Sequence, residues 1–453
     1  MLAKLYNKSL EHVVLPIGDQ FAGGGFIQWL RKYRREQWLP GENLRAMQME
    51  RLIRILDHAR ENVPYYRNIK LGSSDPLESL AQFPIIRKAD INGNVDRLVT
   101  RPINELIGES GSGSSGYQGT VYMDKSAQAS QRAMQALWFE WCGYRMGDSI
   151  LQTGMTMDRG FVKRSKDLFL KTEYVPAFDL QPSSIRQMLD KAAENSRQYL
   201  FGYASSLYVL ARSAVESGRT DVHFKYAVSW GDKLFSHYRK TIKEAFGCET
   251  LDTYGCTEGA MVGAECPYGK FHLSINQCLI EIVDDDGLPV PPGQMGKVLA
   301  TRLDNFAMPL IRYYLGDLAE LEPGTSKKCE CGRELPLLRR VVGRDTDIVR
   351  TRSGKSLIVH FFTGLFEHIP EIAQFKIIQS NLDEIDIQYI RGPGFNPCVL
   401  QTVEDKIANL LQERLSINWI ETSKIEPTKS GKPQIIQSSI AVSGYGVVNS
   451  QPR

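Results

Sequence analysis

The sequence predicts an α/β fold in two parts. A large N-terminal domain, residues 1–342, would hold parallel-sheet βαβ units and a strand-rich subdomain. A small C-terminal α+β domain, residues 343–453, would follow. Three observations lead there. Short apolar runs alternate with helical stretches of about 12 to 20 residues through the middle of the chain, the pattern of a parallel sheet. After Gly269 the texture changes to strands separated by turn-rich runs. Beyond Gly343 a further pair of strands and a helix form a unit of their own.

Each element has its own signal. From Asn43 onward, Leu52, Ile55, Leu56 and Ala59 recur at helical spacing, and Pro64 ends the run. A Gly/Ser-rich segment, 108–119, precedes a helix that opens near Ser126, with Ala133, Ala136, Leu137 and Trp141 on one face. Tyr199 to Tyr203 reads as a strand. Ser205 or Ser206 is placed to cap the next helix, which turns Leu207, Leu210, Ala211 and Ala214 inward. Phe224 to Val228 reads as a second strand, followed by a helix through Leu234, Ile242, Ala245 and Phe246. Leu251 to Thr253 reads as a third, ending in a glycine-containing loop. Strands at 277–283 and 297–303 flank the turn-rich run D-D-D-G-L-P-V-P-P-G. In the C-terminal part, strands at 375–379 and 384–390 flank an Asn-Leu-Asp turn. Val403, Ile407, Leu410 and Leu411 then mark a helix, and a last segment lies near Ile435.

Composition removes several function classes. With 42% apolar and 24% charged residues, the chain can bury a sizeable core, so disorder is excluded as its main state. Lys and Arg number 55 against 52 Asp and Glu, a net charge of +3 that gives no support to nucleic-acid binding through a basic surface. No run of about eighteen apolar residues exists, so no membrane span is expected. The N-terminus lacks the apolar core and small-residue cleavage site of a secretory signal. Eight cysteines scattered over 453 residues do not read as a disulfide framework. The expectation is a cytoplasmic protein with reduced thiols, in which a cysteine cluster reads first as a metal site.

Five motifs carry chemistry. In E-S-G-S-G-S-S-G-Y-Q-G-T, 109–120, glycines would let backbone N–H groups and hydroxyls approach a phosphate closely; a flexible surface loop is the other reading. T-Y-G-C-T-E-G, 253–259, follows a strand and packs an aromatic, a hydroxyl and a carboxylate into five positions, suited to a base, a phosphate and Mg²⁺. P-L-I-R-Y-Y-L-G-D-L, 309–318, puts an Asp after a Gly at an expected strand end, suited to ribose hydroxyls. V-G-R-D-T-D-I-V, 342–349, sits at the domain boundary, and P-T-K-S-G-K, 427–432, lies near the C-terminus. Separately, Cys266 and His272, six residues apart, join Cys329 and Cys331 as candidate ligands. A Cys₃His set suits tetrahedral Zn²⁺, although the C-x-C spacing is tighter than in the usual finger.

In this order and spacing the five motifs resemble the adenylate-forming ligases, in the branch of the phenylacetate–CoA ligase family and its relatives from capsular polysaccharide clusters. The resemblance runs from H-A-R-E-N-V-P-Y-Y-R, 58–67, to the C-terminal S-G-K. It implies ATP-dependent activation of a carboxylic acid to an acyl-adenylate, followed by transfer to coenzyme A. Transfer to an amine such as an amino sugar, or to a carrier protein, is the alternative, and a non-catalytic nucleotide-binding scaffold is the reading from another class. By resemblance, Ser112, Ser114, Ser115 and Gly116 form the phosphate loop. Tyr254 would stack on adenine, Gly255 would belong to the ATP site, Thr257 would touch the phosphate, and Glu258 would hold Mg²⁺. Asp317 would bind ribose, Arg344 would reach the nucleotide, and Lys432 would bridge the carboxylate and the α-phosphate. Tyr203, Ala204, Trp230 and Gly231 would line the acyl pocket. Cys266, His272, Cys329 and Cys331 would hold a structural zinc.

The chain departs from the family pattern at three places. Tyr117-Gln118 stand where Lys-Pro usually continues the loop, and Trp230-Gly231-Asp232 replace Gly-Gly-Glu. Thr346, flanked by Asp345 and Asp347, stands where the hinge Asp is common. The C-terminal domain is expected to rotate about that segment between the two half-reactions, bringing Arg350 to Lys355 in where Lys432 withdraws.

Overall fold

The computed structural model describes residues 2–70, 72–110, 120–154, 160–177, 182–194, 198–323, 328–344, 348–353, 355–366, 369–411, 415–426, 435–440 and 446–447. These cluster into two compact units. The first takes 1–281, 299–314 and 324–338, and the second takes 282–298, 315–323 and 339–453.

The first unit begins in helices. Gly41–Asn62 buries Leu44, Leu52, Ile55, Leu56 and Ala59 along one stripe, which is the periodicity the sequence displays. An antiparallel pair, β1 (Ile107–Ser110) and β2 (Thr120–Met123), flanks residues 111–119 of the Gly/Ser-rich segment. The helix Lys125–Trp141 then starts on an Asp124 side chain that accepts from the Ala127 N–H, and it buries Ala133, Leu137 and Trp141.

The sheet of this unit is built from β3 (Ile150–Gly154), β4 (Thr172–Pro176), β5 (Tyr199–Tyr203), β6 (Tyr226–Trp230), β7 (Glu249–Gly255), β8 (Met261–Glu265) and β9 (Phe271–Leu273). Their order is β9-β8-β7-β6-β5-β3-β4. The five strands β3 to β7 are parallel, as the alternating pattern predicts, and β8 and β9 are antiparallel additions. Leu200, Leu207, Leu210, Ala227, Ile242 and Phe246 belong to one buried cluster between this sheet and its helices.

Three local expectations change. The strand expected from Phe224 starts at Tyr226. The helix after β5 begins at Ala204, with no capping bond from Tyr203 and none from Ser205 or Ser206 in the N-cap role. A carboxylate from the next β–α junction does that work instead: Asp232 Oδ2 accepts from the Ser205 N–H at 3.1 Å. Asp317 lies inside the strand Tyr313–Leu321 rather than at its end.

In the second unit, a four-stranded sheet has the order Ser416–Glu421, Glu384–Arg391, Ile372–Gln379, Ile436–Ser438. The helix Cys398–Leu411 turns Val403, Ile407 and Leu411 inward, the stripe read from the sequence. Among the described residues no helix is long and apolar enough to cross a membrane.

Candidate functional site

Because β3, β5, β6 and β7 are parallel, their carboxyl ends lie along one edge, where open α/β sheets bind ligands. That edge gathers several residues singled out in the sequence. Tyr203 ends β5 and is the register partner of Trp230 at the end of β6. The Trp230 ring lies 6.0 Å from that of Phe139 and 6.3 Å from that of Phe201. Gly231 follows with φ 80°, and a side chain there would meet the Tyr203 ring at 2.5 Å. Burial pushes the Tyr203 phenol up to about 12, so it stays a neutral hydroxyl at neutral pH. Ala204 is fully buried behind it.

Tyr254 and Gly255 end β7, and a tight turn returns the chain to β8. The Gly259 N–H donates to the Cys256 carbonyl at 3.0 Å, and the Cys256 N–H donates to the Ala260 carbonyl at 3.0 Å. Thr257 and Glu258 are therefore the two central residues of a hydrogen-bonded turn, and Gly259 closes it with φ 93°. The Thr257 side chain faces solvent, and the Glu258 carboxylate is 11% exposed.

Two further residues hold Glu258. The Tyr313 hydroxyl donates to Oε1 at 3.1 Å, and the Lys88 ammonium lies 3.6 Å from the same oxygen. Lys88 arrives there because Ile86 pairs with Tyr313 as an isolated bridge, with the Tyr314 N–H on the Ile86 carbonyl at 2.9 Å. Tyr313 in turn follows Arg312, a buried residue with φ 50° whose guanidinium lies 3.1 Å from Glu281. Tyr313 stands inside a motif quoted from the sequence. Lys88 carries no local signal, because its place depends on a long-range strand pairing.

In the second unit, Asp317 and Arg344 form an ion pair, Nε to Oδ1 at 3.2 Å, and Arg344 Nη1 donates to the Leu315 carbonyl at 2.9 Å. Gly316 has φ 77°, and a Cβ there would lie 2.9 Å from that guanidinium. Ser112, Ser114, Ser115 and Gly116 lie outside the described residues, as do Asp345, Thr346, Asp347, Gly354 and Lys432.

The cysteine–histidine set lies elsewhere in the first unit. Cys266 opens the β8–β9 turn, where its N–H donates to the Lys270 carbonyl at 2.9 Å, and β9 carries His272. Cys329 and Cys331 share a turn closed by the Gly332 N–H on the Cys329 carbonyl at 2.8 Å. One potential ligand atom from each of the four residues lies within 4.8 Å of the others. Cys266 and Cys329 sulfurs are 3.7 Å apart, and Cys331 Sγ is 3.3 Å from His272 Nε2. Burial pulls His272 down to about 4, which keeps the imidazole neutral. Its Nδ1 faces the Leu335 carbonyl at 3.3 Å; a carbonyl only accepts, so the proton sits on Nδ1 and the Nε2 lone pair faces the sulfurs. Three thiols and a neutral imidazole in that arrangement fit a four-coordinate zinc.

Comparisons with known proteins agree with the motif resemblance. No protein-family model matches the chain. It is 27% identical over 414 residues to the phenylacetate-coenzyme A ligase of Thermus thermophilus, covering 83% of this chain and 90% of that protein. It is 22% identical over 427 residues to Protein CapK of Staphylococcus aureus, covering 88% and 90%. Among solved structures, 2-hydroxyisobutyryl-CoA ligase in complex with 2-HIB-AMP aligns with a TM-score of 0.71 at 19% identity, covering 90% of this chain and 92% of that one. The chain has the fold of the adenylate-forming CoA ligases.

Proposed function

We infer that this relative of the phenylacetate-CoA ligases and CapK is an adenylate-forming ligase, which activates a carboxylic acid with ATP and then passes the acyl group to coenzyme A. The observation that carries the reading is the hydrogen-bonded Thr257–Glu258 turn, which follows β7 at the carboxyl edge where its parallel neighbours β5 and β6 end in Tyr203 and Trp230. In the first step a substrate carboxylate oxygen attacks the α-phosphorus of ATP, and pyrophosphate leaves with the electrons of the broken P–O bond. Two anions meet in that step, so positive charge must be concentrated there. Lys432, on the lid formed by residues 343–453, would supply it at the carboxylate and α-phosphate. Thr257 would donate its hydroxyl to the phosphate, and Tyr254 would stack on adenine. Asp317 would accept from the ribose hydroxyls, and Arg344 would reach the nucleotide. Glu258 would hold Mg²⁺, which would supply further charge against the phosphates. Ser112, Ser114, Ser115 and Gly116 would wrap the phosphates. In the second step the acceptor sulfur attacks the acyl carbon, AMP leaves, and the thiol proton is lost.

Tyr203, Ala204, Trp230 and Gly231 would line the acyl pocket. Cys266, His272, Cys329 and Cys331 would hold a zinc whose role is structural, since four protein ligands leave no open position. Acid-dependent exchange of labelled pyrophosphate into ATP, run over a panel of carboxylic acids, tests the first step. Adding coenzyme A, an amino sugar or a carrier protein to the responding acid then identifies the acceptor. A chain that supports no exchange with any acid would leave the nucleotide-binding scaffold as the surviving reading.

A further inference from the structure

We propose that Arg302 is a positioning residue for adenylation: it props the turn that carries Thr257 and Glu258, and Gly259 is the residue that admits it. The proposal rests on the role assigned above to Glu258. Arg302 is 97% buried, with its side chain 3% exposed, and lies at the end of the strand Met295–Arg302. Its Nε donates to Asp304 Oδ1 at 2.6 Å, and its Nη2 donates to the Ala127 carbonyl at 2.6 Å. Asp304 is held from its other oxygen by the Ser130 hydroxyl, which is 2.5 Å from the Tyr33 hydroxyl. Gln277 Nε2 also approaches that oxygen at 3.5 Å, while Gln277 Oε1 accepts from the Met261 N–H at 2.9 Å. Arg302 is therefore fixed on one side to the first turn of the helix Lys125–Trp141 and on the other to a buried carboxylate.

The third guanidinium nitrogen, Nη1, lies 4.0 Å from Met123 Sδ and abuts the turn at Gly259. A methyl group built on Gly259 would collide with Arg302 Nη1 and stand 3.3 Å from Gln131 Oε1. Gln131 Oε1 is itself buried without a hydrogen-bond partner. The space beside Gly259 is thus closed by two polar groups, and the turn rests on the guanidinium. Only glycine fits, for two independent reasons: the space is taken, and φ is 93°.

The test compares single variants with the pair, reading pyrophosphate exchange against Mg²⁺ concentration alongside thermal unfolding. Gly259→Ala should lower the exchange rate about 100-fold, the cost of misplacing a reacting group by about 1 Å. Arg302→Lys keeps a charge for Asp304 and removes the nitrogen under Gly259. It should raise the Mg²⁺ concentration for half-maximal exchange about tenfold, and it should also melt earlier, because the buried Ala127 carbonyl loses its donor. Adding Arg302→Lys to Gly259→Ala should restore at least tenfold of the lost rate, because the colliding atom is gone. Multiplicative losses in the double variant would overturn the proposal. So would an Arg302→Lys protein that melts earlier but keeps the wild-type Mg²⁺ dependence, since that is a purely structural role. Glu258→Gln is run beside them. If it leaves exchange untouched, the role of Glu258 fails and the inference falls with it. If it cripples exchange while the Arg302 and Gly259 effects are multiplicative, the inference alone is wrong.

Discussion

Glu258→Gln is the sharpest perturbation of the proposed chemistry. The substitution keeps the shape of the side chain and removes one negative charge. The Tyr313 hydroxyl can still donate to the amide oxygen across the present 3.1 Å, so the turn should keep its form. The ammonium of Lys88, now 3.6 Å from the carboxylate, loses its counter-charge. Both side chains are partly shielded, at 19% and 11% exposed, so the pair is worth more than a surface contact but less than a core one. About 1 kcal/mol of stability should go. The catalytic cost should be far larger. Removing a group that stabilises charge at a reacting centre typically costs about 10² to 10³ in rate. The assay is acid-dependent pyrophosphate exchange across a range of Mg²⁺ concentrations, with thermal unfolding as the control for folding. The loss should be greatest at low Mg²⁺, and transfer from preformed acyl-adenylate to the acceptor should be nearly spared. Wild-type exchange at limiting Mg²⁺ would refute the assignment of Glu258.

Three other outcomes are expected. Lys432→Ala should fold normally and lose about 10² to 10³ in acyl-adenylate formation while preformed acyl-adenylate still reacts with the acceptor; full adenylation activity would remove Lys432 from the mechanism. Purified protein should contain one zinc per chain, and Cys331→Ala or His272→Ala should lose it and melt earlier. Metal analysis finding none, with all four positions tolerant of alanine, would end that reading. Asp252→Asn should stabilise the protein most above neutral pH. Burial, with the nearby charge of Glu265, pushes the Asp252 carboxyl up to about 7, against roughly 3.9 for an unfolded aspartate. The folded state therefore keeps a proton that the unfolded state releases. The stability this contributes is present below about pH 4 and is lost as pH rises through about 7. Asparagine can keep the bonds from the Ser229 hydroxyl at 2.7 Å and the Thr253 N–H at 3.0 Å without the charge. The gain in melting temperature should be larger at pH 8 than at pH 5, and the reverse order would contradict the sign.

Much of the fold is legible because it rests on local periodicity. The inward stripes of Gly41–Asn62 and Cys398–Leu411, and the strand Tyr199–Tyr203, follow from which side chains must leave water. The helix start after β5 is not legible in that way. Ser205 and Ser206 are good capping residues, yet Asp232, 27 positions away, takes the Ser205 N–H, because parallel pairing of β5 with β6 brings the two junctions together. Lys88 is hidden for the same reason: two residues after Ile86, it reaches Glu258 only once Ile86 has paired with Tyr313. The cysteine–histidine set is the opposite case. Cys266 and Cys329 are 63 residues apart, but metal-binding residue types are rare enough to be grouped before any geometry is known.

The Thr257–Glu258 turn shows why the two kinds of information divide as they do. Its shape is local. A four-residue turn ending in glycine sets where the central side chains emerge, and T-Y-G-C-T-E-G displays that. Its stiffness is not local. A carboxylate that holds a metal ion against a substrate would have to be placed to a fraction of an ångström, which a two-residue tip alone cannot do. The holding groups come from three other places in the chain: Lys88, Tyr313 and the buried Arg302. Lys88 and Tyr313 are brought there by the Ile86–Tyr313 bridge, and Arg302 is held by its bonds to Asp304 and the Ala127 carbonyl. Gly259 is where the two levels meet, since its positive φ is a turn requirement and its missing side chain is a packing requirement. A motif read from sequence therefore places the proposed chemistry, while the residues that hold the turn become visible only when the sheet is assembled.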